Sequence, residues 1–209
     1  MQLVADDMLL VVDVQRDFLP GGALAVPDGE AVVPVINHLG TLFGHVVLTQ
    51  DWHPAGHLSF AASHPGRAPF DVIDLPYGRQ VLWPDHCVQG TRGAELAPGL
   101  DLPTAELVIR KGCRPGVDSY SAFTEADRST PTGLAGYLRE RRVRRVFVAG
   151  LATDYCVGWT AIDARAAGFE AIVIEDACRA IDVQGSLDRA WQAMAAAGVA
   201  RRTRHDLAA

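Results

Sequence analysis

Short apolar runs rich in β-branched residues alternate along the chain with segments in which apolar residues recur every three or four positions. The apolar runs predict strands at residues 8–12, 45–50, 106–110, 146–149 and 171–175, and a more polar sixth strand at 198–203. Helical spacing predicts helices at 30–43, 133–142, 156–168 and 186–197. Strands that alternate with helices in this way predict an α/β fold: a doubly wound, mainly parallel six-stranded sheet with helices on both faces.

Residues 51–105 interrupt this alternation. The segment is rich in Pro, Gly and His and shows no sustained periodicity, yet it contains several large apolar side chains, including Trp52, Phe60, Phe70 and Trp83. A connection of this length within a compact domain is usually functional or disordered, and the aromatic residues favour order. We therefore expect one domain over residues 1–209, with a functional excursion at 51–105.

Composition narrows the classes of partner. The net charge of −6 and the pI near 5.6 argue against nucleic acid or an anionic membrane, because binding to phosphate requires a basic surface. The four cysteines lack a short CxxC pair, which argues against a disulfide scaffold or a Cys-rich zinc site. The sequence shows no signal-peptide pattern and no apolar stretch long enough to span a bilayer. We expect a cytoplasmic protein with a small-molecule ligand.

Polar residues that can carry chemistry follow the predicted strands. The first strand ends at Asp13, the second is followed by Asp51 and His53, the third ends at Lys111, and the fourth leads to Cys156. In open parallel sheets, ligands bind beyond the carboxyl ends of the strands. The five side chains are therefore predicted to lie at one edge of the sheet.

Cys156 is a candidate nucleophile. The pattern predicts that it begins the first turn of a helix, where backbone NH groups and the helix dipole would stabilise a thiolate. Asp13 could take and return the thiol proton, and Lys111 could keep that carboxylate charged. Each residue also has an ordinary interpretation: a small buried apolar cysteine, an aspartate that caps a helix, and a surface lysine.

Asp51 and His53 lie two positions apart, which places both side chains on one side of an extended segment. With His86, they would form a two-histidine, one-carboxylate metal site with open positions for water or substrate. His57 and His64 are nearby alternatives. Such ligands suit zinc, iron and manganese alike. We expect one divalent metal ion, with zinc as the first choice.

Other common enzyme signatures are absent from the sequence. The loop after the first strand has no G-x-G-x-x-G, which makes a dinucleotide-binding site a weak hypothesis. Neither the G-x-S-x-G serine elbow nor the P-loop pattern occurs. The cysteine remains the best candidate for covalent chemistry.

The motifs together resemble the nicotinamidase/pyrazinamidase branch of the isochorismatase-like cysteine hydrolases. They occur in the family's order over most of the chain: Asp13-Val-Gln-Arg-Asp-Phe18, Asp51-Trp-His53-Pro, Trp83-Pro-Asp-His86-Cys-Val, Lys111-Gly and Gly150-Leu-Ala-Thr-Asp-Tyr-Cys156-Val. The Asp-Lys-Cys pattern is shared by many members of this superfamily. The paired Asp-x-His and Trp-Pro-x-His motifs are the more specific part.

The resemblance implies hydrolysis of nicotinamide to nicotinate and ammonia in NAD salvage, with pyrazinamide as a second substrate. In this interpretation Cys156 attacks the amide, Asp13 transfers the proton, and Lys111 anchors Asp13. The metal on Asp51, His53 and His86 binds the pyridine nitrogen.

The resemblance also implies roles for residues around the cysteine. A cis peptide bond is expected at Leu151-Ala152, with the backbone NH groups of Ala152 and Cys156 as the oxyanion hole. The residues that match the family's ring pocket are Phe18, Leu24, Trp83 and Tyr120. The segment from His53 to His57 is shorter than in relatives that use a second nearby histidine, so His57 is placed outside the ligand set.

Two other functions stay open on the sequence alone. One is a related cysteine hydrolase that acts on another small amide or carbamoyl compound. The other is a non-catalytic ligand-binding module on the same fold. The resemblance also suggests self-association into a homo-oligomer, although no interface can be identified in the sequence.

Overall fold

The computed structural model describes residues 1–208, which contain one six-stranded, entirely parallel sheet and a separate hairpin. The strands of the sheet are β1 (Asp7–Val12), β2 (His45–Asp51), β5 (Ala105–Lys111), β6 (Arg145–Leu151), β7 (Glu170–Arg179) and β8 (Ala200–Arg202). Their spatial order is β5-β2-β1-β6-β7-β8. Strand β1 is central, pairing with β2 on one side and with β6 on the other.

Helices cover both faces of the sheet, as predicted. They are α1 (Val32–Gly40), α2 (Leu134–Glu140), α3 (Gly158–Ala166) and α4 (Ser186–Ala196). Leu9 of β1 packs in the same apolar cluster as Ile36 of α1. Leu10 belongs to the opposite cluster, with Leu138 of α2 and Met194 of α4. Successive residues of a strand point to opposite faces, so a continuous apolar run supplies both cores.

The excursion contains an element that the sequence pattern did not predict. Strands β3 (Val72–Leu75) and β4 (Gly78–Val81) form an antiparallel hairpin outside the main sheet. Most of its side chains are exposed or half-buried, so it lacks the clear apolar alternation that would mark it. Helix α1 is shorter than predicted at both ends, because Gly29–Ala31 form a 3-10 turn and the helix ends at Gly40. Strand β7 continues to Arg179, beyond its apolar core.

The carboxyl ends of β1 and β6 approach each other closely at Gly150. Gly150 pairs with Val12 and has a φ of 123°. A Cβ atom at this position would lie 2.1 Å from the Val12 carbonyl oxygen. Only glycine fits here, and it allows the chain to turn from β6 toward Cys156 beside the end of β1.

Membrane insertion through a helix is not indicated by this fold. Within residues 1–208, no helix combines the length and apolar character needed to cross a bilayer.

Candidate active site

The predicted side chains meet at one edge of the sheet. Asp51 and Lys111 end β2 and β5 and are direct partners in the register of those two strands. Asp13 follows β1, and Cys156 follows β6 after a short turn. All four are at least nine-tenths buried. Parallel register therefore assembles this group, as the strand-end pattern predicted.

Lys111 is the centre of the first group. Its Nζ lies 2.7 Å from Asp13 Oδ2 and 3.4 Å from Cys156 Sγ. The same ammonium lies 3.0 Å from Asp51 Oδ1 and donates to the Ser119 carbonyl at 3.0 Å. A fully buried ammonium needs such partners to offset its desolvation. Although burial lowers the pKa of Lys111, the carboxylates of Asp13 and Asp51 raise it well above its usual value, so the lysine is charged.

Cys156 does not begin a helix, contrary to what the pattern predicts. The helical segment begins earlier, with a π-helical turn at Thr153–Val157, and α3 starts only at Gly158. Burial raises the pKa of the Cys156 thiol well above its usual value, although Lys111 lowers it and Asp13 raises it further. Desolvation is the largest cause of this rise, because a buried thiolate loses its hydration. This direction favours the neutral thiol, from which a nearby base would have to remove the proton to form the nucleophile.

Asp13 can serve as that base because its carboxyl group is buried beside the Lys111 ammonium. Its backbone is left-handed, with a φ of 49°. Burial raises the pKa of Asp13 above its usual value, and the Lys111 ammonium opposes this rise. A carboxylate with raised proton affinity next to a neutral thiol fits proton transfer between the two.

Asp51, His53 and His86 form a buried cluster whose candidate ligand atoms lie within 4.8 Å of one another. Asp51 Oδ2 is 3.0 Å from His53 Nε2 and 3.3 Å from His86 Nε2. Nδ1 of His53 donates to the Gly112 carbonyl at 3.1 Å, and Nδ1 of His86 donates to the Pro84 carbonyl at 2.8 Å. A backbone carbonyl can only accept a hydrogen bond, so Nδ1 of each histidine must carry a proton. In a neutral ring the Nε2 atom then has no proton, and its lone pair faces the Asp51 carboxylate.

With both rings neutral, three acceptor atoms converge, and a cation between them would stabilise this arrangement. Two imidazole nitrogens and one carboxylate oxygen are the donor set of many zinc, iron and manganese sites. The residues present therefore fit a divalent metal ion. Asp51 would connect this metal-binding group with the group formed by Asp13, Lys111 and Cys156, since Asp51 Oδ1 accepts a hydrogen bond from Lys111 Nζ.

His57 and His64 lie close to the cluster but are engaged elsewhere. His57 Nε2 donates to the Arg114 carbonyl at 2.9 Å, and its Nδ1 accepts from the Ser59 hydroxyl at 2.8 Å. The ring packs against His53 with 4.3 Å between the centroids. His57, His53 and Asp118 make a second buried group with suitable donor atoms, but these hydrogen bonds occupy both nitrogens of His57. His64 donates to the Leu58 carbonyl.

A narrow cavity, here called the aromatic cavity, opens in front of Cys156, Asp51 and His86. Its walls include all four residues predicted for a ring pocket: Phe18, Leu24, Trp83 and Tyr120. Ala152 also lines it, and the Leu151-Ala152 peptide bond is cis, as the resemblance implied. Asp118, Tyr155 and Ile181 line the same cavity but were not predicted from the sequence. Asp118 and Ile181 lie in the loops that follow β5 and β7, and Tyr155 lies in the turn after β6, where the pattern singled out only Cys156.

A model of the isochorismatase domain matches residues 7–206, and the chain belongs to the isochorismatase family. Within it, the chain is 63% identical over 193 residues to the nicotinamidase of Acinetobacter baylyi, covering 92% of this chain and 90% of that protein. The structure of a nicotinamidase and pyrazinamidase from Acinetobacter baumanii superposes with a TM-score of 0.96 at 57% identity, covering 97% of this chain and 98% of the other.

A more distant structural relative was solved with a metal. The pyrazinamidase of Pyrococcus horikoshii in complex with zinc has a TM-score of 0.77 at 37% identity, covering 95% of this chain and 99% of the other. Both structural relatives share the fold over nearly the whole chain. The doubly wound parallel architecture predicted from the sequence is therefore confirmed.

Proposed function

We propose that the chain is a nicotinamidase that hydrolyses nicotinamide to nicotinate and ammonia in NAD salvage, and that it also accepts pyrazinamide. The observation that carries this proposal is the placement of the Lys111 ammonium, 2.7 Å from Asp13 Oδ2 and 3.4 Å from Cys156 Sγ, beside the aromatic cavity. A thiol, a base and a cation meet where a flat ring can stack. The high identity to a nicotinamidase supports the choice of substrate.

The first half of the reaction forms a thioester. Asp13 takes the thiol proton as Cys156 Sγ attacks the amide carbonyl carbon. The tetrahedral intermediate then collapses, the C–N bond breaks, and the proton on Asp13 passes to the leaving nitrogen, which departs as ammonia. Lys111 favours the ionised form of Asp13 before it takes the proton and after it has released it, and offsets the charge that develops on sulfur.

The second half uses water. Asp13 removes a proton from a water molecule that attacks the thioester carbonyl, and the C–S bond then breaks. The proton on Asp13 returns to Cys156, the product loses its carboxylic acid proton to solvent and leaves as nicotinate, and the resting state is restored. In both halves the backbone NH groups of Ala152 and Cys156 would bind the carbonyl oxygen, a contact worth about 3 kcal/mol per donor in other enzymes.

The walls of the aromatic cavity suit a heteroaromatic amide. Phe18, Leu24, Trp83 and Tyr120 offer apolar and aromatic surface to a flat ring. Asp51, His53 and His86 would hold the metal, for which we propose zinc because the Pyrococcus relative was solved with it. The metal would supply a Lewis acid for the ring nitrogen, which would orient the substrate.

The test is ammonia release from nicotinamide, measured with matched metal-free and zinc-loaded samples of the purified chain. We expect release by the zinc-loaded sample and loss of activity in Cys156→Ala. A Cys178→Ala variant is the control, because Cys178 is buried on β7, away from the aromatic cavity. A zinc-loaded protein that leaves nicotinamide intact but hydrolyses another small amide would overturn the substrate assignment. No activity on any amide would favour a binding module.

A further inference from the structure

The β3–β4 hairpin carries one side chain whose burial sets it apart. Gln80 is only 1% exposed, whereas every other residue of the two strands is exposed or half-buried. A buried carboxamide is costly unless its donors and acceptor are paired. The partners of Gln80 therefore indicate why the hairpin places a polar group there.

The Gln80 carboxamide joins the hairpin to a loop of the active site. Its Nε2 donates to Asp118 Oδ2 at 2.6 Å and lies 3.0 Å from the Tyr120 hydroxyl. The same nitrogen lies 2.7 Å from the Val81 carbonyl oxygen. On the other side, Oε1 accepts a hydrogen bond from the Tyr77 hydroxyl at 3.0 Å. One side chain thus connects two residues of the hairpin with two of the loop.

Both loop partners are walls of the aromatic cavity, while Gln80 itself does not line it. The Tyr120 hydroxyl also accepts a hydrogen bond from Trp83 Nε1 at 3.1 Å. The Tyr120 hydroxyl therefore lies within hydrogen-bonding distance of two N–H groups, Gln80 Nε2 on β4 and Trp83 Nε1 just after it. These contacts hold the phenol ring in place. Asp118 is 2% exposed, and its carboxylate relies on Gln80 for the contact at Oδ2.

We propose that Gln80 is a positioning residue that sets the shape of the aromatic cavity through Asp118 and Tyr120, and thereby the affinity for the aromatic amide. This inference rests on the proposed function. Glutamine suits the position because its amide donates to a carboxylate while its carbonyl accepts from a phenol. A glutamate would turn a second carboxylate oxygen toward Asp118 at hydrogen-bonding distance.

The position of these contacts predicts which kinetic constant changes. Asp118 and Tyr120 would touch the bound ring, whereas the proton transfers involve Asp13, Lys111 and Cys156. An interaction made equally in the ground state and in the transition state affects KM and leaves kcat unchanged. Loss of the Gln80 contacts should therefore weaken binding with little effect on the chemical step.

The experiment compares Gln80→Met and Gln80→Glu with Arg79→Met, each zinc-loaded, using nicotinamide in a steady-state ammonia assay. Arg79 precedes Gln80 on β4 and is exposed, so its variant controls for any change to the hairpin. We expect KM to rise about tenfold or more in Gln80→Met and further in Gln80→Glu, with kcat within about threefold of the unsubstituted chain. Arg79→Met should match the unsubstituted chain.

Nicotinate affinity, followed by the fluorescence of the cavity tryptophan, gives a second measurement that does not depend on turnover. It should weaken in parallel with the rise in KM. An unchanged KM in a folded Gln80→Met variant overturns the inference, as does a fall in kcat at constant KM. Gln80→Met keeps a side chain of similar length without adding charge. The KM of this variant therefore tests the inference even if Gln80→Glu does not fold. An unsubstituted chain inactive on nicotinamide would instead overturn the proposed function.

Discussion

The Thr49 hydroxyl holds Asp13 through two hydrogen bonds. It donates to Asp13 Oδ1 and accepts from the Asp13 backbone NH at 3.1 Å. Both residues are completely buried, Thr49 on β2 and Asp13 at the end of β1. With Oδ1 held in this way, Oδ2 is the oxygen that meets the Lys111 ammonium. Thr49 therefore orients the proposed base, although it lies outside every motif recognised in the sequence.

Replacing Thr49 should impair the chemical step. Thr49→Val removes the hydroxyl at nearly constant volume, and a hydrogen bond to a charged group contributes about 1.5–3 kcal/mol. We expect kcat for nicotinamide to fall about ten- to a hundredfold. Thr49→Ser keeps the hydroxyl and should retain most of the activity. Equal losses in the two variants, measured by steady-state kinetics, would show that packing and not hydrogen bonding is responsible.

The acid side of the pH profile should report on Asp13. Burial raises the pKa of Asp13, with Lys111 in opposition. Proton transfer needs the carboxylate form, so activity should disappear as the pH falls through this raised pKa, above the value of about 3.9 for an exposed aspartate. The Thr49 hydrogen bond lowers the pKa of Asp13, so Thr49→Val should shift the acid limb to higher pH. An acid limb below pH 3.9 in the kcat/KM profile would contradict this assignment.

Metal content should depend on His86 and not on His64. His86→Ala removes one of the three converging donor atoms, and we expect zinc to fall from about one per chain to a small fraction after dialysis. His64→Ala is the matched control, since His64 binds a backbone carbonyl and belongs to neither cluster of metal-ligating groups. Elemental analysis of the dialysed proteins measures both. Full zinc retention in His86→Ala would remove His86 from the ligand set.

The close approach at Gly150 predicts a stability difference between two glycines. Gly150→Ala would press a Cβ against the Val12 carbonyl at a φ of 123°, and we expect a loss of about 2 kcal/mol or more in the free energy of unfolding. Gly136 on α2 has no atom within 4 Å of an added Cβ, so Gly136→Ala should stabilise the chain by roughly 0.5–1 kcal/mol. Urea unfolding measures both changes, and equal values would refute the steric argument.

Strand-end chemistry was the most informative part of the sequence. Asp13, Asp51, Lys111 and Cys156 could be assigned to one edge because a parallel sheet brings the carboxyl ends of its strands together. The hairpin carrying Gln80 could not be predicted, since its strands are short and mostly exposed. The place of Asp118 in the cavity wall could not be predicted either, because its contacts come from distant parts of the chain.

The direction in which the Cys156 pKa shifts could not be predicted from sequence position for a related reason. Sequence position indicates a helix terminus and its dipole, but burial decides whether a thiolate keeps its hydration. That burial arises from packing against residues far away in the chain.

The alternation of strands and helices, the residues at the strand ends and the family to which they point could all be predicted from the order of the amino acids. These features follow from local periodicity and from residue types at fixed spacings. Tertiary structure decided the orientation of Asp13 by Thr49, the convergence of the Nε2 lone pairs of His53 and His86 on Asp51, and the Gln80 contacts. Each depends on side chains from separate segments that meet only when the sheet and the excursion pack together.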